Sequence, residues 1–150
     1  MQLGIATAKG AVRPPALAGT FYPDDPAALA AQVDRSLDTA RLGIGRPKAI
    51  VAPHAGYIYS GAVAASAYGQ VRALKDTVTR VVLLGPCHRV PVPGLAVSSA
   101  LAFRTPLGDI PLDRETIDRL SALPFVETND PAHAQEHSLE VHLPFLQRVL

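Results

Sequence analysis

Cysteine occurs once in these 150 residues. A single thiol excludes an intramolecular disulfide framework and fits a reducing, cytoplasmic setting. Aromatic residues make up only 5% of the chain while hydrophobic residues reach 48%. That balance speaks against an aromatic-rich β-sandwich and for closely packed helices on a sheet. Met1 to Val12 lacks the continuous apolar stretch of a signal peptide, and no apolar run approaches membrane-spanning length. No membrane partner is therefore expected. The formal charge is +1, with both signs interspersed. There is no basic stripe of the kind that binds nucleic acid. HExxH, CxxC, GxGxxG and the P-loop signature are all missing, which removes the commonest zinc, redox, dinucleotide and nucleotide sites.

What is present is organised around Ala49-Ile50-Val51-Ala52-Pro53-His54-Ala55-Gly56-Tyr57. The short β-branched run reads as a buried strand over Lys48–Ala52, stopped by a proline that cannot donate to a ladder. The same grammar returns at Thr79–Leu84, followed by Gly85-Pro86-Cys87-His88. In an open parallel α/β sheet, ligands bind at the carboxyl ends of strands. His54 and His88 then stand at one sheet edge, and imidazole is a common ligand for zinc, iron and copper. Either histidine alone is as well explained by a loop side chain satisfied by backbone. The pairing favours a site, and a metal there needs at least one more donor.

The remaining elements frame those two strands. Asp25-Pro26 opens a helix, with Leu29, Val33, Leu37 and Ala40 on one face and Gly43 and Gly45 after it. Ser60 is read as the cap of an alanine-rich helix, Gly61 to Leu74, completing a βαβ unit. Leu95–Ser98 and Phe125–Glu127 read as short strands. Phe103 to Pro111 reads as loop or edge strand, with Gly108-Asp109 as turn chemistry. Asp113 caps a short helix to Leu120, and Thr128 to Gln135 reads as a polar loop. Glu136 to Leu150 keeps helical leucine spacing, with Pro144 as a kink or break. The domain is read as residues 13–150, preceded by a flexible N-terminus over residues 1–12.

Glu136-His137-Ser138-Leu139-Glu140 is a third polar cluster. It is either an ordinary acidic helix start or the bearer of a neutral His137 that contacts ligand or moves a proton. Cys87 is either a small buried hydrophobe or a thiolate beside a histidine. Tyr57 and Tyr59 are candidates for a pocket wall or for packing at a loop base. His142 is read as structural and His133 as solvated.

Taken together, these residues resemble the Memo family, which includes the AmmeMemoRadiSam system protein B group. Five blocks carry the resemblance: Arg13–Pro23, Ala52–Gly61, Leu84–His88, Phe103–Gly108 and Glu136–Phe145. It runs from Arg13 to the end of the chain and covers about the N-terminal half of the family's domain. The resemblance implies a three-layer α/β sandwich with a mostly parallel central sheet, like that of class III extradiol dioxygenases. The fold is then truncated here. It implies metal ligation by His54 and His88, with Fe(II) first, copper second and zinc behind them. His137 takes substrate orientation or proton transfer, and Tyr57, Glu136 and Cys87 line the substrate side. The family's third ligand, a cysteine or carboxylate, lies beyond residue 150. Cys87 stands where relatives often carry a small polar residue. A small-molecule or peptide ligand and a radical-SAM partner protein are implied partners.

Three functions follow from this reading: a metal-dependent redox protein, a non-catalytic adaptor using the same cleft, or a metal-dependent hydrolase. The 150 residues alone are expected to be inactive and to self-associate through surface that the rest of such a domain covers.

Overall fold

Helix α1, Pro26–Asp38, begins where the sequence places it. The Asp25 carboxylate accepts the Ala28 N–H at 2.7 Å, and Pro26 takes the first helical position. Leu29, Val33 and Leu37 are fully buried, one stripe at helical spacing. The computed structural model describes residues 10–41, 43 and 45–150. Most of the expected flexible N-terminus lies outside the described residues, but Val12 is already part of a strand.

Helix α2, Tyr57–Gly69, starts four residues before the expected Gly61. Ser60 is not its cap. The hydroxyl sits one turn inside and donates back to the Ala55 carbonyl at 2.9 Å. The first helical N–H, at Tyr57, is instead taken by the Phe21 carbonyl at 2.8 Å. A 3-10 turn at Arg72–Leu74 follows the helix. Ala64 and Ala65 let α2 lie close against α1 and against helix α5, Leu143–Val149. Leu17, Tyr22, Tyr57, Tyr68, Val141, Phe145 and Val149 complete this main core.

The β structure is a set of short strands. Strand β1, Val12–Arg13, runs parallel to β3, Ala102–Thr105, which pairs antiparallel with β4, Gly108–Pro111. Thr105 faces Gly108, so the turn falls at Pro106-Leu107 and Gly108 opens the second strand with φ +117°. A second sheet pairs β2, Leu95–Val97, in parallel with β5, Val126–Thr128. Helix α3, Arg114–Leu120, carries the Asp113 cap as read. The expected polar loop contains one more helix, α4, Asp130–Ala134, capped by Asn129. Proline 144 starts α5 rather than kinking it. A 3-10 turn, Glu140–His142, precedes that helix, and proline is well placed in a first turn.

The two strands expected at the centre of a parallel sheet are the main correction. Lys48–Ala52 and Thr79–Leu84 belong to neither sheet, so the βαβ unit expected from them does not form. The first run nevertheless alternates over Ile50, Val51 and Ala52, whereas the second is covered only at Leu83. Ile50, Ala52 and Leu83 pack inward on the two cores. Val51 is 96% exposed, Val82 82% and Leu84 73%. The first run has a covered face and a bare one, and the second is bare except at Leu83. The architecture is thus mixed α/β with two small sheets, and the described residues do not form a single central parallel sheet.

Candidate functional site

The bare segments end on the two histidines. Pro53 follows the first and leads into His54, just before α2. Gly85-Pro86-Cys87 follows the second and leads into His88. The last approach is tight. A Cβ on Gly85 would come within 2.9 Å of Leu139 Cδ2 and of Ser138 Oγ, so a larger residue there has to displace those side-chain ends. Ser138 Oγ donates to the Pro86 carbonyl at 2.6 Å and ties the His88 loop to the loop bearing His137.

Through these contacts three imidazoles converge. One ring nitrogen each from His54, His88 and His137 lies within 4.8 Å of the others. Ring centroids stand 4.5 Å apart for His88 and His137, 5.3 Å for His54 and His88, and 5.6 Å for His54 and His137. His88 is exposed and the other two are half-buried. The Phe21 ring packs on His137 at 4.8 Å. A cleft of about 540 Å³ opens beside the cluster, walled by Phe21, Pro53, Tyr59, His54 and His137. Burial lowers the affinity of His137 for a proton, and the His88 and His54 rings add to that against the opposing Glu136. His137 is therefore neutral at pH 7, the form that donates a lone pair to a metal.

Glu136 underlies the cluster. Its side chain is 5% exposed. Its oxygens accept the His88 backbone N–H at 2.6 Å, His88 Nδ1 at 2.9 Å, and the His137 and Ser138 backbone N–H groups at 2.9 Å each. Burial alone would raise this carboxyl. The hydrogen bonds from His88, Ser138 and His137 outweigh it and hold the group down at about 2.

The other predicted residues fall elsewhere. Tyr57 does not line the cleft. It is buried, and its hydroxyl donates to the Val141 carbonyl at 2.7 Å, because the first turn of α2 points this residue at the core. Tyr59, on the other side of the helix, takes the wall position. Cys87 is half-buried with Sγ 3.6 Å from the Ala132 carbonyl, turned toward α4. Glu136 faces its own N–H donors rather than open cleft. His133 is not simply solvated: its ring is half-buried, with Nε2 3.2 Å from the Ala96 carbonyl. His142 is buried beside Tyr68, and its Nδ1 has no partner.

Sequence reasoning missed what holds the site in place. Arg13 and Glu140 form a fully buried ion pair. Glu140 also accepts the Ala16 and Leu17 N–H groups at 2.9 Å each and the Tyr22 hydroxyl at 2.5 Å. Arg13 Nη2 donates to the Glu136 carbonyl, and Arg13 Nε to the His133 carbonyl, both at 2.9 Å. This network pins the Arg13–Tyr22 segment against the site loop and sets Phe21 beside His137. The available signal was an arginine ahead of two prolines and a second glutamate four residues past Glu136. At helical spacing the two glutamates share a face, which does not separate their roles.

A family model described as "Memo-like protein" matches residues 13–150. The chain belongs to the Memo family. Curated relatives agree with this. A MEMO1 family protein from Aquifex aeolicus is 42% identical over 137 residues, covering 91% of this chain and 50% of that protein. One from Ignicoccus hospitalis is 45% identical over 148 residues, covering 91% and 51%. The memo-1 homolog of Caenorhabditis elegans is 38% identical over 134 residues, covering 89% and 38%. This Memo chain thus spans about half the length of the two prokaryotic relatives and 38% of the Caenorhabditis elegans one. Among its described residues, no helix is long and apolar enough to cross a membrane.

Proposed function

We propose that this Memo-family chain carries a transition-metal site built on His54, His88 and His137, serving dioxygenase-like redox chemistry on a small molecule or peptide held in the adjoining cleft. The observation that carries the reading is the convergence of three imidazole nitrogens within 4.8 Å at the mouth of a cleft. The donor set fits a metal: imidazole suits iron, copper and zinc. Glu136 behind His88 is the outer-shell carboxylate that ligating histidines commonly have. Fe(II) is the first choice, copper the second and zinc the third. Such a metal, when bound, supplies electron transfer or polarisation of a bound oxygen donor. The chain's own residues orient the imidazoles, keep His137 neutral and wall one side of the cleft with Phe21 and Tyr59.

Several parts of this reading rest on the family resemblance. These are the three-layer sandwich, a further anionic ligand outside these residues, a role for His137 in proton transfer in place of metal ligation, a cytoplasmic setting and a radical-SAM partner. The mixed α/β architecture and the half-length match are compatible with them.

Anaerobic titration with Fe(II), Cu and Zn tests the reading, on the wild type and on His54→Ala/His88→Ala. Tight binding of Fe(II) or copper, lost in the double variant, supports it. Retention of zinc alone, with hydrolytic activity, points to the hydrolase. Absence of metal binding in both this chain and the Aquifex aeolicus relative leaves the adaptor.

A further inference from the structure

We propose that Glu136 is a positioning residue that fixes His88 as the Nδ1–H tautomer and so leaves Nε2 as its lone-pair nitrogen. A carboxylate is acceptor-only, with about four lone-pair sites on its two oxygens. Three of the groups facing Glu136 are backbone N–H donors, from His88, His137 and Ser138, and none of them can reverse its role. The fourth is His88 Nδ1, 2.9 Å from Oε1. A lone pair on that nitrogen would face an anion, so Nδ1 carries the proton. His137 turns the same ring position toward the same oxygen, its Nδ1 lying 3.2 Å from Oε1. With a side chain 5% exposed, three donors on Oε1 and the His88 N–H on Oε2, Glu136 acts through His88 and not on a substrate. Its bond to the His88 backbone adds a second constraint, because ring and main chain are held by one group.

The consequence for metal affinity rests on the reading proposed above; the tautomer does not. The experiment is therefore two measurements on the wild type and on Glu136→Gln. Glutamine keeps the shape but turns an NH₂ group toward N–H donors. The first measurement is long-range ¹H–¹⁵N correlation of the histidine rings in metal-free protein. Wild type should show His88 with Nδ1 protonated and Nε2 bare, and Glu136→Gln should show an Nε2–H population. The second is Co(II) titration, in which outer-shell loss should weaken affinity about 10- to 100-fold. A carboxylate that only braced the loops would lower the melting temperature and leave the tautomer unchanged. An Nε2–H tautomer in wild type, or a His88 tautomer unchanged in both Glu136→Gln and Glu136→Asp, overturns the proposal. So does cobalt affinity within twofold of a wild type that binds. If wild type binds no cobalt, the cobalt arm passes to the Aquifex aeolicus relative, where a second absence of binding ends the metal reading, and the ring spectra still decide the role of Glu136. If Glu136→Gln does not fold, Glu136→Asp keeps the charge, withdraws it from His88 and must show the same tautomer change.

Discussion

Two regions of the molecule meet at the histidine cluster, and they are built differently. On one side, α1, α2 and α5 close over a dense core, and the Arg13–Glu140 pair is sealed beneath it. His137 comes from this side. On the other side, the extended segments 48–53 and 79–86 bring His54 and His88 forward, the first with one face packed and the other bare, the second bare except at Leu83. The donors of one site therefore stand on backbones of unequal support. Glu136 bridges the two sides, since its neighbours in sequence belong to the packed region and its ring partner His88 to the bare one.

Breaking the packed side should cost most. Glu140→Ala leaves a buried guanidinium unpaired and removes acceptors from two backbone amides and from Tyr22. The expected loss is about 3–5 kcal/mol in urea unfolding, the usual result of stripping one partner from a buried pair. A loss under about 1 kcal/mol would mean that the pair is less sealed than its burial implies.

A smaller effect on the same side follows from His142. Burial pushes this imidazole down to about 4, and the His54 ring adds a push in the same direction. The unfolded chain takes up a proton near pH 6.5, whereas the folded chain resists until about pH 4. Stability is thus held above the unfolded value and lost as pH falls from about 6.5 to about 4, with no further loss from this group below that. His133 and His137, also lowered by burial, add in the same sense. Melting temperature followed across that window should fall less steeply in His142→Leu than in wild type. Equal slopes would remove His142 from the account.

The bare side should respond least in stability. Val51→Thr/Val82→Thr changes two outward side chains and should shift unfolding by about 0.5 kcal/mol or less, as surface substitutions do. The same variant should shift the monomer–oligomer balance toward monomer in sedimentation at high concentration. Association identical to wild type, or a wild type that stays monomeric throughout, would show that these valines do not drive it.

The contrast also explains what was legible in the sequence. Helix α1 could be read because Asp25, Pro26, Leu29, Val33 and Leu37 carry cap and stripe within one local stretch. The runs 48–52 and 79–84 were legible as extended apolar segments but not as unpaired ones. Pairing is a property of the neighbour, and β-branched composition reports only on the strand itself. Convergence of His54 and His88 was legible from their repeated Pro–His setting, and His137 from its place between two glutamates. The division of labour between Glu136 and Glu140 was hidden, because it depends on Arg13, Tyr22 and His88, residues 48 to 127 positions away in the chain. Tyr57 was the tyrosine expected on the substrate side, and the start of α2 turns it inward and gives the wall to Tyr59.

Gly85 turns one interatomic distance into a specification. With no Cβ between them, the His88 loop rests directly on Ser138 and Leu139. The gap between the two stacked imidazoles is therefore gauged by bare van der Waals radii, which thermal fluctuation can widen but not narrow. A methyl group at position 85 would have to displace Leu139 Cδ2 and Ser138 Oγ, the second of which holds the Pro86 carbonyl. The width of the histidine cluster is in that sense written as a glycine three residues before the ring it positions.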